Sequence, residues 1–137
     1  MKMRSPHIVP LSPQALAVIE ELRRLTGHFD LLFPSQRDHK KPISENTLLY
    51  ALYRLGYHKR ATVHGFRALA STILNETGFR PDVIERQLAH AERNKVRAAY
   101  HRSEYLKERR KMMDWWGACI ESVTNQQKVV FLRRKAA

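Results

Sequence analysis

Residues 63–70 read VHGFRALA, with His64 and Arg67 three positions apart at the head of an apolar run. Thr62 comes just before, and its hydroxyl is of the kind that caps a helix start. The stretch therefore predicts a helix through Ile73 and Leu74 that stops at Gly78. Side chains three apart share one helix face, so this helix opens with two groups that both favour anions. The pair alone decides little. A chain with seven histidines and sixteen arginines contains such a spacing by chance, and His90 with Arg93 is a second example. The surroundings have to give it meaning.

The chain has 137 residues, enough for one domain with a real core. Its 25 Lys and Arg face 13 acids, a formal charge of +12 and a pI near 10.4. Such an excess costs folding energy by self-repulsion and points to a polyanionic partner. Nucleic acid fits better than a membrane, because no basic amphipathic stretch stands apart from the fold. Cys119 is the single cysteine, which excludes an internal disulfide and a thiol-rich metal site. No apolar run approaches the ~18 residues of a membrane span, and MKMRSPHIVPL at the start has no long apolar stretch of signal type. The expectation is a cytoplasmic protein without cofactor.

The elements follow from local signals. HIVPL at residues 7–11 is β-branched and bounded by prolines, and reads as an edge strand. Ser12 and Pro13 open a helix bearing Leu16, Ile19, Leu22 and Leu25, ended by Gly27. LLFPS at 31–35 precedes a polar loop, QRDHKKP, the expected site of flexibility. Ser44 is expected to cap a helix with Leu48, Leu49, Leu52 and Leu55, stopping at Gly56, and Pro81 begins another, PDVIERQLAH. A short helix is expected over 94–101. Ser103 would then cap a long one with Leu106, Met113, Trp116, Ile120 and Val123 on one stripe. Its Trp and Met residues read as core. The fold class is mainly α with a small β element. A body over 1–123 is followed by a tail over 124–137 that contains a short strand, KVVFL.

The spacings gain force together. Lys2 lies eight residues before Pro10, His90 lies 23 after Arg67 at the end of QLAH, and Tyr100 follows ten later in VRAAYHR. This order of Lys, His-x-x-Arg, Leu-x-His and Tyr resembles the catalytic domain of tyrosine recombinases, the phage integrase family. The wording HGFRALASTILNETGFRPDVIERQLAHAERNKVRAAYHR is especially similar to prophage integrases of the satellite-phage type. The likeness extends over nearly the whole chain.

The resemblance implies site-specific DNA recombination without metal or ATP. A tyrosine hydroxyl attacks a backbone phosphate and forms a 3′-phosphotyrosyl link, which keeps the phosphodiester energy for rejoining. A tyrosine with a pKa of ~10 needs a proton acceptor and a polarised phosphate, and cationic side chains must stabilise the phosphorane. By this match Tyr100 is the nucleophile and Arg67 forks two phosphate oxygens. His64 assists proton transfer, His90 bonds a phosphate oxygen, and Lys2 on a β-hairpin protonates the departing 5′-oxygen. The basic residues Lys40, Lys41, His58, Lys59, Arg60, Arg93, Lys95 and Arg97 are expected to contact double-stranded DNA. Other protomers are expected partners, the family acting as a tetramer on DNA; no membrane is involved.

Each residue also has a structural reading. His64 could bond a backbone carbonyl, Arg67 could pair with Glu76 or Glu85, His90 could sit favourably at its helix C-terminus, and Tyr100 could be core. Tyr105 is a rival nucleophile, and Lys2 lies where chains fray. The family's second arginine, upstream of the hairpin, has no match here. The chain thus reads as the C-terminal part of an integrase, expected to be inactive by itself. By the resemblance, His101 stands where asparagine is expected in close relatives, and the gap from His90 to Tyr100 is one longer than in many members. KVVFL either adds a strand to a neighbouring protomer or pairs with HIVPL. The competing functions are a helix-turn-helix-like binding module on ILNETGFRPDVIERQLAH and a metal nuclease. No HxH, HxxxH or paired acidic cluster supports the nuclease.

Overall fold

The computed structural model describes residues 7–89 and 104–125. Five helices are seen there: α1 (Pro13–Thr26), α2 (Thr47–Arg54), α3 (Val63–Glu76), α4 (Pro81–Gln87) and α5 (Leu106–Thr124). The chain divides into two compact units, one of residues 1–14 and 71–137, the other of 15–70.

The first unit holds the buried core. Leu74 of α3, Val83 and Ile84 of α4 and Met112 of α5 are at most 2% exposed. Phe79, Leu88, Tyr105, Met113, Trp115 and Trp116 pack around them. Phe79 meets Trp115 edge-on, ring centres 5.5 Å apart. Burying each such aliphatic side chain is worth about 1.5–3 kcal/mol relative to leaving it in water. The expectation that the Trp and Met residues of α5 serve as core holds, but its stripe is turned. The deeply buried positions are Arg109, Met112 and Gly117, while Ile120 and Val123 are 47% and 60% exposed. The buried Arg109 is polar, so hydropathy periodicity alone assigns that face to water.

Gly117 has a specific reason to be glycine. A Cβ there would stand 2.5 Å from Ser12 Oγ and 2.7 Å from Ser12 Cβ, so the backbone of α5 can lie against the start of α1 only without a side chain. Gln14 Nε2 donates to Glu121 Oε2 at 2.8 Å beside this contact.

Two helix ends match their sequence signals closely. At Gly78 (φ +88°) the amide donates to Asn75 O, and Phe79 N donates to Leu74 O at 3.2 Å. At Gly56 (φ +85°) the same pattern runs to Tyr53 O and, from Tyr57 N, to Leu52 O at 3.0 Å. Both are Schellman ends, in which a left-handed residue satisfies the last carbonyls. Pro81 begins α4 as expected.

Other expectations need correction. HIVPL is not a strand: residues 7–12 carry no ladder, and among the described residues the extended pairing is one isolated antiparallel bridge, Pro34 to Pro42. The carbonyls a strand would offer are used otherwise. Ile8 O accepts from Arg109, and Leu11 O accepts from Arg110 Nη1 at 2.9 Å. The small β element of the expected fold class is therefore not seen among the described residues. Ser44 does not cap α2 directly, since that helix begins three residues later, at Thr47 behind Asn46. Ser44 O instead accepts from Thr47 N at 2.9 Å and forms a turn ahead of the helix. In the second unit the apolar stripes are only partly covered: Leu16, Leu25, Leu48 and Leu55 are exposed, while Ile19, Leu22, Leu49 and Leu52 are half-buried.

Candidate functional site

The start of α3 is built as its sequence implies. Thr62 Oγ1 accepts from Gly65 N at 3.0 Å, which satisfies one of the orphan donors of the first turn. His64 and Arg67 follow on one face, His64 exposed and Arg67 half-buried. Arg67 has a polar partner in the folded chain. No acidic residue lies in the first turn, so the positive end of the helix is not offset locally.

The loop feeding this helix is basic and tightly wound. His58, Lys59 and Arg60 are all exposed. Arg60 N and Ala61 N both donate to Tyr57 O, at 3.0 and 3.1 Å. Lys59 sits at φ +61°, a left-handed conformation that costs a non-glycine residue about 1–2 kcal/mol. Two aromatic contacts hold the loop: His58 stands edge-on to Tyr53 at 4.4 Å, and the Arg60 guanidinium lies 5.7 Å from the Tyr57 ring centre. The loop and the His64–Arg67 turn are thus contiguous, with His58, Lys59, Arg60 and His64 exposed and Arg67 half-buried.

Lys40 and Lys41 occupy a different turn of the same unit. Lys40 N donates to Asp38 Oδ1 at 3.1 Å, Lys41 N to Asp38 O at 2.9 Å, and Ser35 N to Lys41 O at 2.7 Å. The Lys41 ammonium lies 3.3 Å from Asp38, an exposed pair of small energetic worth. This loop, expected to be flexible, is laced by these bonds. A shallow cavity of about 300 Å³ behind it is lined by Leu22, Phe29, Phe33, Pro34 and Ile43, and neither His64 nor Arg67 borders it.

Lys2, His90, Arg93, Lys95, Arg97 and Tyr100 lie outside the described residues, as do the helix expected over 94–101, Ser103 and all but the first two residues of the tail. Tyr105, the rival nucleophile, is half-buried. Its ring packs on the core and lies 5.2 Å below the Arg80 guanidinium, and Arg80 also bonds Glu108 at 3.0 Å.

Sequence reading missed Arg109. Its guanidinium is fully buried, donating from Nε to Gln87 Oε1 at 2.8 Å, from Nη1 to Glu104 O at 3.2 Å and from Nη2 to Ile8 O. The Glu104 carboxylate stands 3.6 Å away and also pairs with Arg86. Burial pushes the pKa of Arg109 down from its ordinary value; Glu104 acts the other way, and Arg86 adds to the lowering. His7 Nε2 lies 3.3 Å from Gln87 O and 3.5 Å from Arg109 Nη2. If that nitrogen carries its proton it donates to the carbonyl and cannot also accept from Arg109. Nothing in the local sequence separates Arg109 from the neighbouring exposed Arg110.

Comparison with known proteins bears on this arrangement. Residues 1–107 match the phage integrase family. The chain is 47% identical over 122 residues to prophage integrase IntA of Escherichia coli (strain K12), a match covering 89% of this chain and 30% of that protein. It is 48% identical over 130 residues to the integrase of Enterobacteria phage P4, covering 92% and 30%. It is 42% identical over 122 residues to the integrase of Shigella phage Sf6, covering 88% and 32%. The chain thus spans about 30% of the length of these curated relatives. No solved structure gives a significant match. With the family matched from residue 1 to residue 107, across the capped His64–Arg67 turn and its basic loop, this chain belongs to the phage integrase family.

Proposed function

We propose that this chain supplies part of the strand-transfer site of a site-specific DNA recombinase that integrates prophage DNA. The observation that carries the reading is the family match over residues 1–107, which spans Lys2, His64, Arg67, His90 and Tyr100 in their expected order. The geometry at α3 supports it, since an exposed histidine and a half-buried arginine on a capped helix start, fed by an exposed basic loop, are suited to a backbone phosphate.

In this reading the Tyr100 oxygen attacks phosphorus and loses its proton, with His64 assisting the transfer. The bond from phosphorus to the 5′-oxygen breaks, and Lys2 protonates that leaving oxygen. Arg67 and His90 stabilise charge on the non-bridging oxygens. The product is a 3′-phosphotyrosyl link, and the reverse sequence with another strand's 5′-hydroxyl rejoins the DNA. His58, Lys59, Arg60, Lys40 and Lys41 bind flanking phosphates, with Arg93, Lys95 and Arg97 assigned the same role. Partner protomers complete the assembly on DNA, and KVVFL is the segment assigned to docking between them. The helix-turn-helix alternative is weaker. α4 has seven residues, buries Val83 and Ile84, and exposes Glu85, an acid unsuited to a DNA groove.

The test is a nicked duplex bearing the attachment site, incubated in EDTA with the natural polypeptide that contains residues 1–137. A covalent protein–DNA adduct is expected, absent in Tyr100→Phe while DNA binding persists. Binding should weaken steeply with salt, each neutralised phosphate adding ~0.9 to the log–log slope. Failure to form an adduct, or an adduct that requires a divalent metal, would overturn the reading.

A further inference from the structure

α2 has two unlike faces. Leu48 and Leu52 lie on one, continued by Leu55 at the C-cap, and this is the side suited to packing against protein. Tyr50, Tyr53 and Arg54 stand at i, i+3 and i+4 on the other. The basic loop joins this second face, since His58 stands edge-on to Tyr53 with ring centres 4.4 Å apart. Tyr50 meets Tyr53 at 6.0 Å, and the two ring pairs are inclined at 81° and 70°, so neither is stacked face to face. Tyr50 and Tyr57 are 55% and 45% exposed, and the Arg60 guanidinium lies 5.7 Å from the Tyr57 ring centre. The backbone under them is fixed: Tyr57 N donates to Leu52 O at 3.0 Å, and Tyr57 O accepts from Arg60 N and Ala61 N. The charge around them has one sign. Residues 46–75 contain Arg54, Lys59, Arg60 and Arg67 with two histidines, and no Asp or Glu.

We propose that the face formed by Tyr50, Tyr57 and the loop cations Lys59 and Arg60 binds an unpaired DNA strand, its bases stacking on the aromatic rings and the guanidinium while the cations hold its phosphates. The inference rests on the recombinase reading above and names a substrate form for it. Paired bases are already stacked on one another, so a duplex offers this surface only phosphates and groove edges. An unpaired strand offers base faces as well, and exposed rings interleaved with cations are the chemistry that grips both. Tyrosine loses few rotamers on binding, which suits it to such a contact. The reaction supplies the ligand. Breaking the bond from phosphorus to the 5′-oxygen frees a strand end, and that end must leave its complement before its 5′-hydroxyl can attack another phosphotyrosyl link.

The test uses the natural polypeptide and two DNAs of one sequence, a full duplex and the same duplex with a short central bubble carrying 2-aminopurine, whose fluorescence falls when the base is stacked. The parent is expected to bind the bubble about tenfold more tightly than the duplex and to quench the probe. Tyr57→Leu and Tyr50→Leu should each lose about tenfold on the bubble and weaken the quenching, with duplex affinity within about twofold of the parent. Tyr57→Phe, which keeps the ring, should retain both. Lys59→Met should instead weaken both DNAs and lower the log–log salt slope by ~0.7 on the unpaired strand. Photocrosslinking of the parent to 5-iodouracil in the bubble, read by mass spectrometry, needs no variant and should mark Tyr50 or Tyr57. Equal affinity for the two DNAs, equal losses on both in the tyrosine variants, or a crosslink confined to other residues would overturn the inference, and would mean that this face packs against another part of the polypeptide or serves only to brace the loop. The Tyr100-dependent adduct is scored separately on the same preparations. An adduct without selective bubble binding overturns this inference alone; selective, tyrosine-dependent bubble binding without an adduct overturns the recombinase reading and leaves the surface a single-strand site.

Discussion

The two compact units use their apolar residues in opposite ways. In the unit of residues 1–14 and 71–137, Leu74, Val83, Ile84 and Met112 are sealed from solvent together with one guanidinium. In the unit of residues 15–70 no side chain reaches that depth, and Leu25, Leu55 and Phe66 are 70%, 72% and 53% exposed. The same unit displays His58, Lys59, Arg60, His64, Lys40 and Lys41 on its surface. Packing energy is therefore concentrated in one unit, while much of the cationic surface assigned to DNA is carried by the other. A substitution should be felt according to which unit it strikes, even when its chemistry is identical.

The sharpest form of that contrast is one deletion made twice. Leu74→Ala removes a side chain that is 2% exposed, and should cost about 2–5 kcal/mol in urea unfolding. Leu25→Ala, at 70% exposure, should fall within about 0.5 kcal/mol of the parent. Equal losses at the two positions would break the comparison.

The next effect is steric. Gly117→Ala forces a methyl into Ser12, and the strain of overpacking should cost about 1–3 kcal/mol. A double variant, Gly117→Ala with Ser12→Gly, should recover part of that loss, measured as the shift in urea midpoint at constant slope. No recovery would place the clash on Gln14, whose Oε1 also lies against this position, rather than on Ser12.

Smaller still is the helix start in the second unit. Thr62→Ala removes one of the two acceptors of Gly65 N, leaving the Thr62 carbonyl at 3.0 Å, and should cost about 0.5–1 kcal/mol. Because the unit has little core to hold that turn, the loss should appear locally, as faster amide exchange in the first turn of α3 than elsewhere in that helix. Unchanged exchange there would show that contacts other than the cap fix His64 and Arg67.

What the sequence revealed and what it hid follows from the range of the forces involved. Thr62, Gly56, Gly78 and Pro81 act through bonds and torsions within a few residues, and each sits where its local signal places it. HIVPL has strand-like composition, yet its carbonyls at Ile8 and Leu11 are taken by Arg109 and Arg110, about a hundred residues away. No local rule reports such a partner. The stripe of α5 was misphased for a related reason. Periodicity counts an arginine as solvent-facing, whereas Arg109 is buried because Gln87, Glu104 and Ile8 supply its acceptors. Within the candidate site, the order of residues was readable as a family pattern, and the His64–Arg67 turn was readable as physics.

The most direct test of the central claim is to locate the atom that becomes bonded to DNA. The adduct formed by the natural polypeptide on a nicked attachment site would be digested with protease and nuclease, and the nucleotide-bearing peptide sequenced by mass spectrometry. The account predicts a 3′-phosphotyrosyl nucleotide on Tyr100, within the segment Val96–His101. A nucleotide on Tyr105, whose ring is packed against the core beneath Arg80, or on a residue that is not tyrosine, would contradict it.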